Sequence, residues 1–203
     1  RSRQRNSRAL RIAAVQLRFR KTLPENIELI RQFVAEAARA NCDAVLFPEC
    51  AFTGYNVDFQ RLTHVEIEKA LKAVSDAART HHCNVLVGSP TFARLRWFNS
   101  LLVFDRRGLE KFRYHKVHLA PRDAKFFSPG NSVALFRIDG VPCTAIICHE
   151  RRFPELVRLP VMLGARIVFH PNAGLDVLAV SKRKRGGRDG IAVRAFENQI
   201  FYV

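Results

Sequence analysis

Apolar runs alternate with amphipathic segments along most of the chain. Residues 10–17 and 44–47 form apolar runs of the kind that predict buried strands. Between them, residues 24–40 carry apolar side chains at helical spacing, and Pro24 stands near the first turn, where proline is tolerated. This alternation predicts an α/β protein in which helices cover a sheet.

The same two patterns continue through the rest of the sequence. Further strands are predicted at residues 85–88, 99–104, 108–114, 133–138, 144–147, 167–169 and 200–203. Further helices are predicted at residues 65–80, 154–163 and 190–198. The turn-forming residues 105–108 and the pair Asp139-Gly140 each predict a hairpin.

The composition is that of one folded domain. The chain has 203 residues, of which 48% are hydrophobic, and this content excludes a disordered chain. We expect a basic arm at residues 1–9 and a single domain at residues 10–203. No apolar run approaches the roughly 18 residues that span a bilayer, and no signal peptide opens the sequence. We therefore expect a soluble, cytoplasmic protein without membrane contact.

The net charge of +16 needs a separate explanation. Much of the excess lies in the arm and in residues 182–188, which are predicted to form an exposed basic loop. Such runs are usually solvated, but they also suit a membrane surface, a nucleic acid or an anionic substrate. The chain lacks interleaved aromatic residues and any helix-turn-helix or zinc-finger signature, so nucleic-acid binding is not expected to be its main role.

Cys148 stands out among five cysteines that form no CxxC pair and no metal-ligand spacing. This set suits a reducing compartment and predicts neither a disulfide framework nor a metal site. An apolar run at residues 145–147 delivers Cys148 to a helical pattern that contains Pro154, where helix amides would favour a thiolate. Taken alone, the residue would more often be a packing cysteine.

Glu49 and Lys116 likewise follow strand-like segments, and Glu49, Lys116 and Cys148 are separated by 67 and 32 residues. Five family-like segments accompany them in order, namely Thr53-Gly54-Tyr55, His118-Leu119, Ser128-Pro129-Gly130, Arg152-Phe153-Pro154-Glu155 and Arg194-Ala195-Phe196-Glu197-Asn198. Over residues 10–203 the chain thus resembles the nitrilase superfamily of carbon-nitrogen hydrolases, in particular its amidase and N-carbamoyl amidohydrolase branch.

The resemblance implies a fold and an assembly. The fold is a four-layer αββα sandwich of two mixed sheets with helices outside. Related chains continue well beyond Val203, so the final strands are expected to be absent here. Members of the superfamily commonly pair through helices beside the nucleophile, which implies a homodimer or a larger homo-oligomer.

The resemblance also implies a Glu-Lys-Cys triad that needs no cofactor. Cys148 would be the nucleophile, and Glu49 the base that takes its proton and later activates water. Lys116 would supply positive charge to the developing oxyanion, helped by the backbone N–H of His149. Taken singly, Glu49 and Lys116 would be read as an ordinary surface pair and His149 as a polar residue that ends a strand.

Several further residues are candidates for binding the substrate. Asp123 stands near the place where family members often carry a second Glu, and it is one methylene shorter. Arg151 and Arg152 resemble the pair that binds a substrate carboxylate in N-carbamoyl amino acid amidohydrolases. For Arg152 the alternative is a scaffold role in an ion pair with Glu155 or Glu150.

Two polar residues complete this set. Tyr55 would line the mouth of the pocket, with packing under a loop as its alternative. Asn172 follows a predicted buried strand and would contact the substrate, with a turn as its alternative.

These residues predict a hydrolase of small amide or N-carbamoyl substrates that forms a thioester and releases ammonia or an amine. A nitrilase that acts on nitriles would use the same triad, and acyl transfer to an amine is a variant. The alternative from another class is a non-catalytic, anion-binding or regulatory protein on the same scaffold, which the charge and Asp123 would favour.

Overall fold

The computed structural model describes residues 9–55, 59–174 and 186–203. The predicted basic arm, except for residue 9, and residues 182–185 of the predicted basic loop lie outside these ranges. The described residues form four α-helices, which are Leu23–Arg39 (α1), His64–His81 (α2), Glu155–Met162 (α3) and Gly186–Asn198 (α4). None of these helices is both long enough and apolar enough to cross a membrane.

The first sheet has five strands in the order β1-β2-β3-β4-β5. They are Ile12–Ala14 (β1), Ala44–Leu46 (β2), Asn84–Ala93 (β3), Arg96–Phe104 (β4) and Glu110–His115 (β5). Strands β1, β2 and β3 are parallel, with Ala13 opposite Val45 and Val45 opposite Val85. Strand β4 is antiparallel to both of its neighbours, β3 and β5, so the sheet is mixed.

The second sheet has four strands in the order β6-β7-β8-β9. They are Phe136–Ile138 (β6), Val141–Ala145 (β7), Ile167–Phe169 (β8) and Phe201–Tyr202 (β9). Strands β6 and β7 form an antiparallel hairpin, whereas β7, β8 and β9 are parallel. The prediction of two mixed sheets is therefore confirmed, as are the hairpins at residues 105–108 and at Asp139-Gly140.

Some predicted bounds are wrong. The strand expected at residues 10–17 is paired only at Ile12–Ala14, and the chain leaves the sheet soon after Val15 N donates to Leu46 O. The strand expected at residues 85–88 runs over Asn84–Ala93, because it pairs with the whole of β4. The last helix begins at Gly186 rather than at residue 190. The prediction placed its start too late because the glycines of its first turn are more typical of a loop.

The core follows from alternation within the strands. In β2, Val45 packs with Ile30 of α1 and Val74 of α2, whereas Ala44 and Leu46 pack against the second sheet. A separate apolar cluster lies between the second sheet and α3; it includes Ile146, Leu156, Val157, Val168 and Ile200. Helices therefore cover the first sheet on one face, and the second sheet covers it on the other.

This arrangement brings several loops to one edge. Strands β2, β3 and β5 run in the same direction within the first sheet, and β7 and β8 do so within the second. Glu49 follows β2, Lys116 follows β5, Cys148 follows β7 and Asn172 follows β8. Because loops at the carboxyl ends of such strands commonly form binding sites, the functional site is expected at this edge.

Candidate active site

Glu49 and Lys116 form a buried ion pair beside Cys148. Lys116 Nζ lies 2.6 Å from Glu49 Oε1, and the two side chains are only 1% and 2% exposed. Cys148 is partly exposed, and its thiol lies close enough to Glu49 and Lys116 for both charges to act on its pKa. The three residues predicted from the sequence to act together are thus neighbours; their roles remain predictions.

Close backbone contacts hold the segments that carry Glu49 and Lys116. A Cβ atom at Gly88 would lie 2.8 Å from the Glu49 Cα and 2.7 Å from the Cys50 amide, so only glycine fits behind this loop. Gly130 N donates to Lys116 O at 2.8 Å, and a Cβ there would collide with the His115 carbonyl. The two glycines therefore allow the loops to sit where the ion pair forms.

Cys148 has a left-handed backbone, with φ of 47°. Its N–H donates to Pro171 O at 2.9 Å, and its carbonyl oxygen lies 3.0 Å from Nε2 of His170. For a non-glycine residue this conformation is strained and persists only where the surroundings impose it. The two contacts come from the segment after β8, so the second sheet holds the cysteine in this conformation.

The prediction that Cys148 opens an α-helix is wrong. A 3-10 turn, Cys148–Arg152, follows β7, and α3 begins only at Glu155. Phe153 has an extended backbone because the residue before a proline is disfavoured in the helical region. Burial, followed by the charge of Glu49, raises the pKa of Cys148 to about 12, and Lys116 offsets this only in part. These surroundings favour the thiol over the thiolate.

Glu150 ties the cysteine segment to the lysine segment. Its Oε2 accepts a hydrogen bond from Ile147 N at 2.7 Å, and its Oε1 accepts from Val117 N at 2.7 Å and from the Tyr114 hydroxyl at 2.8 Å. The carboxyl is fully buried, and this burial raises its pKa, although the hydrogen bonds oppose the shift. Sequence reasoning missed this role because the donors are mostly backbone amides.

Asp123 reaches the ion pair despite its short side chain. Its Oδ2 lies 2.6 Å from Lys116 Nζ, and its side chain is 3% exposed. Its Oδ1 accepts from the Tyr55 hydroxyl at 3.0 Å, and that hydroxyl also lies 2.9 Å from Glu49 Oε1. Tyr55 is therefore buried between two carboxylates and not at the mouth of a pocket, and burial together with the nearby anions raises its pKa.

Asn99 of β4 is a member of this cluster that the sequence did not indicate. Its Nδ2 lies 2.8 Å from Glu49 Oε1 and 3.0 Å from the Tyr55 hydroxyl oxygen. Its backbone oxygen accepts from Lys116 N at 2.8 Å. The strand predicted from the sequence begins at Asn99, which would make the residue a polar strand end. In the structure it lies inside β4.

The remaining predicted contacts lie around Cys148. Asn172 is exposed, and its Oδ1 accepts from Cys148 Sγ at 3.4 Å and from Gly174 N at 2.8 Å, so it both touches the thiol and closes a turn. Arg151 Nη1 donates to the Cys148 carbonyl oxygen at 3.3 Å. His149 is partly exposed, and burial, with the neighbouring cations, lowers its pKa.

The scaffold reading of Arg152 is not supported. Within the described ranges its guanidinium forms no ion pair with Glu150 or Glu155, because Glu150 is saturated by amide and hydroxyl donors and Arg152 points to solvent. Among the residues that the structure describes, no group of three His, Cys, Asp or Glu side chains is arranged to hold a metal ion. The space between Glu49 and Asp123 is filled by the Lys116 ammonium.

The chain is similar in sequence to known proteins. The chain matches the carbon-nitrogen hydrolase family over residues 11–203. Nitrilase homolog 2 of Dictyostelium discoideum is 25% identical over 96% of this chain and 62% of its own length. An (R)-stereoselective amidase of Pseudomonas sp. is 28% identical over 79% of this chain and 57% of its own length. The chain thus spans less than two thirds of these two curated relatives.

A solved structure has the same fold. A cysteine variant of the amidase from Nesterenkonia sp. AN1, in complex with butyramide, superposes with a TM-score of 0.84 at 24% identity, covering 95% of this chain and 74% of that chain. At this identity the match shows the fold, a nitrilase-like α/β arrangement of two mixed sheets and four helices. With the family match over residues 11–203, it shows that the chain belongs to the carbon-nitrogen hydrolases of the nitrilase superfamily.

Proposed function

We propose that this chain is a thiol-dependent hydrolase of linear amide or N-carbamoyl bonds that releases ammonia or an amine. The observation that carries the proposal is a partly exposed thiol beside a carboxylate and an ammonium that are themselves buried and paired. Burying ionised groups costs desolvation free energy. Clusters of such groups are nevertheless common at active sites, where the reaction uses their charges. An amidase among the relatives supports the choice of substrate class.

The first step is acylation. Glu49 takes the proton of Cys148 as Sγ bonds to the carbonyl carbon of the substrate, and the electron pair of the C=O bond moves to oxygen. A base is required because the raised pKa of Cys148 leaves it as a thiol at neutral pH. Glu49 is the carboxylate whose charge acts on this thiol, and a carboxylate beside a thiol can serve as its general base.

Lys116 stabilises the resulting oxyanion. An ammonium has three N–H donors, and two of them are engaged by Glu49 and Asp123 at 2.6 Å each. The third is available for the substrate oxygen. The backbone N–H of His149 has no acceptor in the described parts of the chain, and it is the second donor that we propose for this oxygen.

The tetrahedral intermediate then collapses. The oxygen re-forms the C=O bond, the C–N bond breaks, and the leaving nitrogen takes the proton that Glu49 had received. Water attacks the thioester while Glu49 takes one of its protons, the C–S bond breaks, and this proton returns to Cys148. One amide and one water thus yield one carboxylic acid and one ammonia or amine, and the protein is unchanged.

The other predicted contacts complete the proposal. Asp123 orients Lys116, Asn172 helps to hold the Cys148 thiol, and Arg151 and Arg152 attract a substrate carboxylate where one is present.

We also propose that the fold is the four-layer αββα sandwich and that copies of the chain associate. Exposed apolar side chains on α3 and α4, such as Met162 and Phe196, support association, which sedimentation would measure.

The test is ammonia release from a panel of short amides, N-carbamoyl amino acids and nitriles. The parent protein, Cys148→Ala and Cys143→Ala are compared; Cys143 is a buried packing cysteine on β7 and serves as the matched control. We expect release by the parent and Cys143→Ala, and none above background by Cys148→Ala. Equal release by the parent and Cys148→Ala would overturn the proposal.

A further inference from the structure

Asn99 contacts both members of the buried ion pair. It is fully buried on β4, its backbone oxygen accepts from Lys116 N at 2.8 Å, and its side-chain Nδ2 donates to Glu49 Oε1 at 2.8 Å. The same Nδ2 donates to the Tyr55 hydroxyl oxygen at 3.0 Å. One strand residue thus fixes the position of the lysine segment and the orientation of the glutamate head group.

The two oxygens of Glu49 have different surroundings. Oε1 accepts from Lys116 Nζ at 2.6 Å and from Asn99 Nδ2 at 2.8 Å, and it lies 2.9 Å from the Tyr55 hydroxyl oxygen. A carboxylate oxygen has about two lone-pair sites, so the lysine and asparagine donors already saturate Oε1. Oε2 accepts only a longer bond, from Ala173 N at 3.3 Å, within the described residues.

Oε2 is also the oxygen on the side of the nucleophile. Ala173 N donates to Glu49 Oε2 at 3.3 Å, and the preceding residue, Asn172, accepts from Cys148 Sγ at 3.4 Å. This two-residue segment therefore contacts both groups, which brings Oε2 and Sγ to the same part of the site. Oε1 instead contacts Asn99 and Lys116.

The orientation of the Asn99 amide is determined by its neighbours. Its Nδ2 faces the Glu49 carboxylate, and its Oδ1 lies 3.7 Å from the Cys50 thiol, which is a donor. Exchanging the two atoms would put an amide oxygen against a carboxylate oxygen and leave two acceptors in contact. Only the orientation with Nδ2 towards Glu49 satisfies the buried groups.

We infer that Asn99 is a positioning residue that, by occupying Oε1, dedicates Oε2 of Glu49 to proton transfer with Cys148. The inference rests on the proposed function, because it assigns how the proposed base is oriented. Asn99 adds an uncharged donor to the oxygen that Lys116 already contacts, and this second bond opposes rotation of the carboxylate about its last bond. An amide serves this purpose because it does not titrate and adds no charge.

The test is the reactivity of Cys148 when Asn99 loses its donors. Asn99→Leu keeps the approximate size and removes both N–H groups, and Asn99→Ser is a smaller second replacement. Ser100→Ala is the matched control, since Ser100 is the next buried polar residue on β4 and its hydroxyl bonds to Thr91 and His115 instead. The measurement is the rate at which iodoacetamide alkylates Cys148 between pH 6 and pH 9, located by peptide mass, together with kcat and KM on the best amide of the panel.

We expect the Asn99 variants to alkylate roughly 10- to 100-fold more slowly than the parent at neutral pH, the range for one lost hydrogen bond to a charged group. The deficit should shrink as the pH approaches the intrinsic range of the thiol, and kcat should fall with little change in KM. A purely structural role would change the melting temperature of the Asn99 and Ser100 variants alike without changing this pH profile. Alkylation and kcat in folded Asn99→Leu or Asn99→Ser equal to those of Ser100→Ala would overturn the inference.

Failure of the inference differs from failure of the proposed function. If Glu49→Gln alkylates at the parental rate, Glu49 is not the base and the proposed function itself is wrong at that step. If Glu49→Gln is slow and the Asn99 variants are fast, only the positioning role is wrong. The alkylation rate needs no knowledge of the natural substrate.

Discussion

The carboxylate of Asp123 lies 2.6 Å from Lys116 Nζ, the same distance as the carboxylate of Glu49. It reaches this position from a 3-10 turn, Asp123–Lys125, in which Ala124 N donates to Ala120 O. Burial alone would lower the pKa of Lys116, but the charges of Glu49 and Asp123 outweigh it and raise the pKa. The ammonium is therefore a fixed positive charge, not a group that titrates near neutral pH.

Removing this charge should be costly to stability. Lys116→Met would leave two buried carboxylates without their common partner, and breaking a buried pair in this way typically costs about 3–5 kcal/mol. Urea unfolding at pH 7 measures the loss. The control is Lys72→Met, which removes an exposed pair with Asp76 on α2 and should leave the free energy of unfolding nearly unchanged. Equal effects of the two substitutions would contradict a strongly coupled buried cluster.

Glu150→Gln should loosen the junction between the cysteine and lysine segments. One carboxylate oxygen would become an NH₂ group that faces an amide N–H, either that of Ile147 or that of Val117. We expect a loss of about 2–3 kcal/mol in the free energy of unfolding, the scale for unsatisfied buried polar groups. Glu155→Gln, at the exposed start of α3, is the control and should change little. Parental stability in Glu150→Gln would show that these hydrogen bonds are dispensable.

His170 should make the folded state sensitive to acid. Burial, with the charges of Arg151 and Lys116, lowers the pKa of His170 from 6.5 to about 4, although its bond to the Cys148 carbonyl opposes the shift. The folded state therefore favours the neutral ring. Its contribution is fully present above pH 6.5 and is lost as the pH falls from about 6.5 to about 4, by on the order of 3 kcal/mol.

The check on this prediction is the pH dependence of unfolding in His170→Gln. Glutamine keeps a donor at the reach of Nε2 and removes the titration, so the slope between pH 6.5 and pH 4 should be smaller than in the parent. His81→Gln, at the exposed end of α2, should retain the parental slope. An unchanged slope in His170→Gln would mean that His170 is not the acid-sensitive group.

Gly88→Ala should displace the loop of Glu49. The added Cβ would lie 2.8 Å from the Glu49 Cα and 2.7 Å from the Cys50 amide, and these backbone atoms have to move. We expect ammonia release from the best amide of the panel to fall at least tenfold, together with lower stability. Gly190→Ala is the control, because a Cβ in this helix would meet no atom within 4 Å and alanine favours helices. Full activity in Gly88→Ala would contradict the tight fit of this loop.

The elements were largely predictable because their periodicity is local. Residues 24–40 and 65–80 predict α1 and α2 closely, since each helix has an apolar stripe and begins at a threonine that caps it. The hairpin between β3 and β4 was missed, because its turn uses Arg94 and Leu95 in the left-handed region rather than Gly, Asn or Asp.

The site was predictable only in part. Glu49, Lys116 and Cys148 were indicated by order and neighbouring motifs. The bonds that join Asn99 to Glu49, and Glu150 to Tyr114 and Val117, connect residues far apart in the sequence and have no local signature. The state of the Cys148 thiol was also beyond local reasoning, because burial and the charge of Glu49 arise only once the two sheets pack. Tertiary contacts, not spacing, decide such roles.

The most direct test of the central claim is the mass of the peptide that contains Cys148, taken by rapid acid quench while the parent protein turns over a small amide. The account predicts a transient gain of one acyl group on Cys148 that is absent in Cys148→Ala and that decays as the carboxylic acid appears. Turnover with no acyl adduct on Cys148, or turnover that persists in Cys148→Ala, would contradict it.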